Sequence, residues 1–108
     1  MTMEQIKELT DEKLANITQN GRVVVEFSAD WCPDCRFLEP FMPAIEQDFA
    51  DAKFYNVDRD ESIDLAKKLN IMGIPSFVVY QDGQEIGRLV NKDRKTKKEV
   101  EDFLRSLD

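Results

Sequence analysis

Apolar residues occur along the chain in short runs, and four of these runs have the spacing and composition of β-strands. They cover residues 23–28, 53–57, 76–81 and 84–90. The first run begins with three valines and is almost wholly apolar, which is typical of a strand buried on both faces. Asp82 and Gly83 separate the last two runs, and this dipeptide predicts a two-residue β-hairpin turn.

Other apolar residues recur at helical spacing and predict three helices. The first follows the strand at 23–28 and contains Pro40 and Pro43, which should bend it because proline cannot donate a helical hydrogen bond. A shorter helix lies between the second and third strands, and an amphipathic helix ends the chain. The apolar positions of the three helices are, in order, Phe37, Leu38, Phe41, Met42, Ile45 and Phe49; Ile63, Ala66 and Leu69; and Val100, Phe103, Leu104 and Leu107.

The first twenty residues fit two different structures. Thr2 and Gln5 have the spacing of a capping box, which would begin one long helix. Alternatively, residues 3–9 form a short edge strand, and Thr10 caps a helix that ends before Gly21. Hydrophobic periodicity does not decide between these two structures.

The order of the elements predicts an α/β domain with a layered architecture. The strands on either side of the first predicted helix should be parallel, and the hairpin at Asp82 and Gly83 adds an antiparallel pair. The chain has 108 residues, which suits a single domain over residues 1–108 with one hydrophobic core.

Charge and composition exclude several functions. The formal net charge of -7 disfavours nucleic acid and anionic membranes, because both would repel an acidic surface. The N-terminus lacks the basic start and apolar run of a signal peptide, and no stretch approaches membrane-spanning length. The chain has two cysteines and no histidine, whereas a structural zinc site needs four ligands. We therefore expect a cytoplasmic monomer without a metal or an organic cofactor.

The two cysteines carry the strongest chemical signal. Residues 31 to 35 read Trp-Cys-Pro-Asp-Cys, and Cys32 and Cys35 are separated by two residues. This spacing suits a disulfide that opens and closes, with one thiol attacking and the other completing the exchange. The pair follows a predicted strand and begins a predicted helix, whose N-terminus favours a thiolate.

Four features, spread over nearly the whole chain, together resemble the thioredoxin family. They are the run at 27–35, Pro40 in the following helix, the Gly-Ile-Pro sequence at 73–75 before a strand, and the hairpin at 82–83. The resemblance implies the thioredoxin fold, in which helices flank both faces of a central mixed β-sheet. It also implies a protein-disulfide oxidoreductase that maintains cell redox homeostasis and takes its electrons from an NADPH-linked thioredoxin reductase.

The chain departs from the family's usual pattern at four places. Pro33 and Asp34 replace the usual Gly-Pro between the cysteines, and Glu26 stands where the family has a buried aspartate. Asn56 occupies the place of a lysine, and Asn91 that of a glycine which shapes the substrate groove. These departures leave the breadth of substrates open.

The resemblance and the predicted elements assign roles to the two cysteines and to four residues around them. Cys32 is the expected nucleophile, and Cys35, one turn further into the helix, should be the less exposed, resolving thiol. The expected substrate-binding residues are Trp31, beside the sulfurs, Pro33, Ile74 and Pro75. Pro75 should be a cis proline that faces the cysteines and leaves the backbone of Ile74 free to pair with an extended substrate. Simple ring packing for Trp31 and a structural turn for Pro75 are the alternatives.

Two carboxylates are expected to influence the thiols. Burial in an apolar strand should raise the pKa of Glu26, which could then take a proton from Cys35 and return it. If its strand lies at the edge of the sheet, Glu26 is instead solvated. The charge of Asp34 should stabilise the helix start and repel a thiolate at Cys32. The basic cluster at 92–98 is interpreted as a solvated loop and helix start.

The predicted function is the reduction of disulfide-containing proteins. Two alternatives remain open. One is a reductase of the same fold with narrow specificity, which Asp34 and Asn91 favour. The other is a binding module that uses the groove at Ile74 and Pro75 to hold a partner without turnover.

Overall fold

The apolar runs of the sequence form one mixed sheet with helices on both faces. The computed structural model describes residues 3–108, and over these residues it has five strands and five α-helices. The strands are β1 (Glu4–Ile6), β2 (Arg22–Ser28), β3 (Ala52–Asp58), β4 (Ser76–Gln81) and β5 (Gln84–Leu89). The helices are α1 (Asp11–Thr18), α2 (Pro33–Leu38), α3 (Met42–Asp48), α4 (Ile63–Lys68) and α5 (Lys97–Arg105). No helix within this described part of the chain is long and apolar enough to cross a membrane.

The strand order in the sheet is β1-β3-β2-β4-β5. β3 runs parallel to both of its neighbours, β1 and β2, whereas β4 pairs antiparallel with β2 and with β5. The predicted parallel pair around the cysteine helix and the predicted antiparallel hairpin are therefore confirmed. Asp82 and Gly83 form the hairpin turn with φ values of 50° and 89°, the left-handed conformation that such a turn requires.

The N-terminal segment forms the edge strand rather than one long helix. Ile6 is buried and pairs with Val57 of β3, and the side chain of Thr10 caps α1 by accepting the backbone N–H of Lys13 at 3.2 Å. Gln5 belongs to β1, and its proposed capping partner Thr2 lies outside the described residues. Pairing with β3 satisfies backbone groups of this segment and buries Ile6.

The two prolines interrupt the helix that follows the cysteines instead of only bending it. A 3-10 turn at Glu39–Phe41 separates α2 from α3. Pro43 has no N–H to offer the carbonyl of Glu39, and the N–H of Met42 bonds this carbonyl instead. The predicted single helix is therefore two short helices joined by this turn.

The core divides into two layers, one on each face of the sheet. Alternate residues of β2 supply both layers, with Val23, Val25 and Phe27 on one side and Val24 on the other. The layer around Val24 includes residues of α2, α3 and α5, namely Leu38, Met42, Ile45, Val100 and Leu104. Because successive strand residues face opposite sides, Glu26 shares the face of Val24 and lies beneath the cysteine helix.

Candidate active site

The cysteine pair is held at the point where β2 leads into α2. Cys32 is the N-cap residue of α2, with extended backbone angles, and Pro33 is the first helical residue. Proline suits this position because its missing N–H would have no partner in the first turn. The sulfur of Cys32 accepts the backbone N–H of Cys35 at 3.2 Å. Both cysteines are free thiols, so the reduced pair already has the geometry of a helix cap.

The expected difference in exposure between the two cysteines is wrong. Cys32 is 4% exposed and Cys35 is 6% exposed. The Cys32 thiol donates to the carbonyl oxygen of Ile74 at 3.9 Å, whereas Cys35 borders a separate opening beside Glu26. The thiols differ in what they face. Cys32 lines a cleft of about 320 Å³ with Trp31 and Ile74, and Cys35 lines a cavity of about 500 Å³ with Glu26.

The two sulfurs also differ in how their surroundings affect a negative charge. Burial raises the pKa of the Cys35 thiol well above its usual value, and its hydrogen bond with Cys32 acts in the same direction. Cys35 is therefore protonated near neutral pH. The Cys32 sulfur receives a backbone N–H at the start of a helix, an arrangement that stabilises an anion. The geometry thus favours Cys32 as the charged partner.

Trp31 stands at the mouth of the cleft and is 61% exposed. Its indole N–H donates to a carboxylate oxygen of Asp60 at 2.6 Å, and the guanidinium of Arg59 lies 5.9 Å from the centre of its ring. Asp60 and Arg59 are site residues that the sequence reasoning missed. They follow β3, about thirty positions after Trp31, and no local spacing connects them to it.

The segment at 73–75 forms the wall opposite α2. The Ile74–Pro75 peptide bond is cis, as the sequence predicted. Ile74 and Gly73 line the cleft, and Pro33 lines it on the side of α2. Pro75 is buried, and it is not among the described residues that border the cleft. The carbonyl of Ile74 is the described group of this segment that contacts Cys32, and the expectation that Pro75 faces the cysteines stays a prediction.

Gly73 lets this wall approach the loop after β5. A Cβ atom added at Gly73 would lie 2.5 Å from the carbonyl carbon of Asn91 and 2.7 Å from the backbone nitrogen of Lys92. Backbone atoms cannot swing aside as the end of a flexible side chain can. Asn91, which occupies the place of a family glycine, therefore approaches the groove through its main chain.

We expect Gly73→Ala to lower the free energy of unfolding by about 1–3 kcal/mol, because the added methyl overpacks against the main chain at Asn91 and Lys92. Urea unfolding measures the loss. Gly21→Ala is the comparison, since nothing lies within 4 Å of a Cβ there and only its left-handed φ of 71° is unfavourable. The amide resonances of Asn91 and Lys92 should move in Gly73→Ala alone. Unchanged stability and resonances would mean that the loop yields freely.

Glu26 is a buried carboxyl on a central strand, so the alternative of a solvated edge position is wrong. It is 3% exposed, and its Oε1 accepts a hydrogen bond from Nδ2 of Asn56 at 3.0 Å. Burial raises its pKa from 4.5 to about 7; the Asn56 bond opposes this rise, and the charges of Glu39 and Glu46 add to it. Asn56 is neutral, unlike the family's lysine, and cannot hold Glu26 ionised by charge. Glu26 therefore changes protonation near neutral pH.

Asp34 is paired with a cation that the sequence did not connect to it. Its Oδ1 accepts a hydrogen bond from Nε of Arg94 at 2.9 Å. The Arg94 guanidinium also lies 4.4 Å from the centre of the Phe37 ring. Residues 92–98 form the predicted loop and helix start, since α5 begins at Lys97, but the expectation that this cluster is solvated is wrong for Lys95. Arg94 contacts α2, and its neighbour Lys95 is fully buried. Since 60 residues separate Asp34 from Arg94, only the fold could reveal the pair.

Two free thiols at a helix start, beside an open cleft and above a buried carboxyl, define a thiol–disulfide oxidoreductase site. The family model described as Thioredoxin matches residues 5–106, and the chain belongs to the thioredoxin family. Members of this family are disulfide oxidoreductases with a pair of cysteines at this spacing. The predicted family and fold are thereby confirmed.

The relatives come from several organisms. The chain is 36% identical over 85 residues to the mitochondrial thioredoxin-3 of Saccharomyces cerevisiae and 42% identical over 81 residues to thioredoxin H2 of Arabidopsis thaliana. These alignments cover 72% and 73% of this chain, and 67% and 61% of the relatives. The oxidised crystal structure of mitochondrial thioredoxin 3 from S. cerevisiae superposes with a TM-score of 0.81 at 28% identity. That superposition covers 96% of this chain and 94% of the other.

Proposed function

We propose that this protein reduces protein disulfides through Cys32 and Cys35 and so contributes to cell redox homeostasis. The observation that carries the proposal is the Cys32 sulfur, which accepts the N–H of Cys35 at 3.2 Å and borders an open cleft. A sulfur so placed can hold negative charge and still meet a disulfide that enters from solvent. Cys35 supplies the second thiol within the same turn of helix.

In the proposed reaction, the Cys32 thiolate attacks one sulfur of the target disulfide. A mixed disulfide forms, and the first target sulfur leaves as a thiolate. Cys35 then loses its proton and attacks the Cys32 sulfur, which releases the second target thiolate and forms the Cys32–Cys35 disulfide. The target gains two electrons and the cysteine pair loses two.

Glu26 is proposed as the group that takes the proton from Cys35. Both residues line the same cavity, and the pKa of Glu26, raised by burial to about 7, suits a group that accepts and returns a proton near neutral pH. The charge of Glu26 also contributes to the raised pKa of Cys35, after burial and the bond with Cys32. Asn56 orients the carboxyl by its hydrogen bond.

The substrate is proposed to lie as an extended segment in the cleft of Cys32. Trp31 and Pro33 offer apolar contact at its mouth, and the backbone of Ile74 faces the sulfur from the opposite wall. Pairing with a main chain selects an extended substrate rather than a particular sequence. Pro75 contributes by supporting Ile74 and by lacking an N–H of its own.

A coupled assay with NADPH, thioredoxin reductase and a disulfide-containing protein tests the proposal. NADPH should be consumed only when all three components and the chain are present. A rate that does not exceed the rate without the chain, with several reductases and substrates, would contradict a reductase function. We also propose that the protein is a cytoplasmic monomer. Cell fractionation would distinguish the cytoplasm from the mitochondrion, which is the location in the name of thioredoxin-3.

A reductase with narrow specificity is the second candidate, and the rim of the cleft favours it. Lys92 and Arg59 line the cleft, and Arg94 reaches Asp34 at its border. Arg59 and Arg94 are paired with Asp60 and Asp34, so Lys92 supplies the additional positive charge of this rim, although the whole chain is acidic. A rim with added positive charge would prefer disulfides in acidic segments. Rates on matched peptides with acidic, neutral and basic residues around one disulfide distinguish the candidates. Similar rates on all three indicate a general reductase.

We expect Arg94→Gln to lower the reduction potential of the cysteine pair by at most about 20 mV. Without its partner, Asp34 repels the Cys32 thiolate more strongly, which destabilises the reduced form. The pair is partly exposed and therefore contributes at most about 1 kcal/mol, or about 20 mV for two electrons. Titration against a glutathione redox buffer measures the potential.

Asp34→Asn should move the potential in the opposite direction, because it removes the repelling charge. Arg105→Gln serves as the control, since Arg105 also pairs with carboxylates but lies at the last turn of α5. A potential that is unchanged in both Arg94→Gln and Asp34→Asn would mean that Asp34 acts only on the helix start.

A further inference from the structure

Lys95 is a lysine without exposed surface in the loop between β5 and α5. Its exposure is 0%, and its ammonium Nζ donates to the backbone carbonyls of Asn91 at 3.0 Å and Asp93 at 2.6 Å. A buried amino group is strongly unfavourable unless its protons are bonded, and these two carbonyls provide the partners. The side chain therefore folds back over its own loop and closes it into a ring.

The hydrogen bonds of the Lys95 amine, rather than its positive charge, hold this ring together. Burial lowers the pKa of Lys95, while the nearby charges of Glu99 and Asp93 oppose the change. The amine still carries N–H donors in its neutral form, so both carbonyls can remain bonded. Lys95 thus acts here mainly as a hydrogen-bond donor. We define residues 91–95 as the groove loop.

The groove loop touches both walls of the Cys32 cleft. On one side its main chain at Asn91 packs so closely against Gly73 that no Cβ would fit between them, and Lys92 borders the cleft. On the other side Arg94 bonds Asp34 at the start of α2. The shape of the loop consequently sets where the wall at 73–74 stands relative to the cysteine helix.

We infer that Lys95 is a positioning residue, which holds the groove loop in the shape that admits an extended disulfide substrate beside Cys32. The inference rests on the proposed function and deepens it. Lys95 acts through Asn91 and Asp93, since its own amine bonds their carbonyls and is buried. Loss of the ring should weaken the fit of a peptide substrate that needs both walls. It should leave the reaction of Cys32 with a small disulfide unchanged, because a small molecule needs only the sulfur.

The test compares Lys95→Met with Lys98→Met. Methionine keeps an unbranched side chain of similar length and loses every N–H donor. Lys98 is exposed on α5 and pairs with Asp102, so its variant removes the same charge without touching the loop. Each pre-reduced protein is mixed with an extended disulfide peptide and, separately, with a small aromatic disulfide. The second-order rate constants are then compared, and circular dichroism verifies the fold.

Lys95→Met should reduce the rate constant with the peptide by about tenfold, because small misplacement of a substrate-positioning wall is costly. The rate constant with the small disulfide should stay within about twofold of the wild-type value. Lys98→Met should leave both rate constants unchanged. A purely structural role would change both rate constants together or neither, and either result overturns the inference.

A measurement on the wild-type protein covers the case in which Lys95→Met does not fold. The side-chain amine protons of Lys95 should exchange with water far more slowly than those of Lys98 in NMR spectra of the labelled protein. Exchange as fast as that of Lys98 overturns the inference, because the ring would then not exist. If the wild-type protein reduces neither disulfide, the proposed function fails. If it reduces both and Lys95→Met behaves like the wild type, only the role of Lys95 fails.

Discussion

Cys32→Ser should lower the rate of disulfide reduction by at least about 10³-fold, because a serine hydroxyl is not ionised near neutral pH and cannot replace a thiolate. Cys35→Ser should stop the reaction at a different point. Its Cys32 sulfur still receives the backbone N–H of residue 35 and can still attack, but no second thiol can release the target. The variant should accumulate a mixed disulfide with its substrate, one target molecule per chain.

Mass spectrometry without reductant measures the adduct, and dithiothreitol should release it. The double variant Cys32→Ser, Cys35→Ser is the control and should form no adduct. The similar burial of the two cysteines makes this a demanding test, since exposure alone does not favour Cys32. If Cys32→Ser forms the more abundant adduct, the roles of the two cysteines are reversed.

Glu26→Gln should stabilise the fold at neutral pH by up to about 3 kcal/mol, the free energy that corresponds to a pKa raised from 4.5 to about 7. The folded pKa lies above the unfolded value. The stability that the protonated carboxyl contributes to the fold is therefore fully present below pH 4.5, and it is lost as the pH rises through about 7. Glutamine keeps an oxygen that can accept the hydrogen bond from the Asn56 amide, and its side chain never ionises. The advantage of the variant should thus grow between pH 4.5 and about 7.

Urea unfolding of both proteins over this pH range measures the difference. Glu4→Gln, an exposed substitution on the edge strand β1, is the matched control and should show little pH-dependent gain. The same Glu26→Gln protein should resolve its mixed disulfide more slowly than the wild type near neutral pH, because Cys35 loses its proton acceptor. A gain that does not depend on pH would mean that the pKa of Glu26 is the same in the folded and the unfolded protein, which contradicts a pKa raised by burial.

The sequence predicted most of the secondary structure because the signals for it are local. The central strand, the hairpin at Asp82 and Gly83, and the amphipathic helix α5 all lie where the apolar pattern and turn residues placed them. The break between α2 and α3 was predicted as a bend, since proline removes a hydrogen bond wherever it stands in a helix. The edge strand β1 was not decided, because a three-residue strand gains its stability from β3 rather than from its own sequence.

The site, like the fold, could be predicted from the sequence only in part. Cys32 and Cys35 are three positions apart, so their spacing and their place at the start of a helix could be recognised in the chain alone. The burial of Glu26 was expected from the apolar run around it. Its pairing with Asn56 could not be derived from that run, because the register between β2 and β3 brings the two residues together.

The sequence by itself determined the strands β2 to β5, the helices α4 and α5, the cysteine pair and its family. Only the tertiary structure decided how each charged group is compensated. It joined Asp34 to Arg94, enclosed Lys95, and set the main chain of Asn91 against Gly73. Local propensity depends on neighbours a few residues away, which a sequence displays directly. Burial and charge pairing depend on which distant segments meet, and these contacts exist only once the sheet has brought the loops at its edge together.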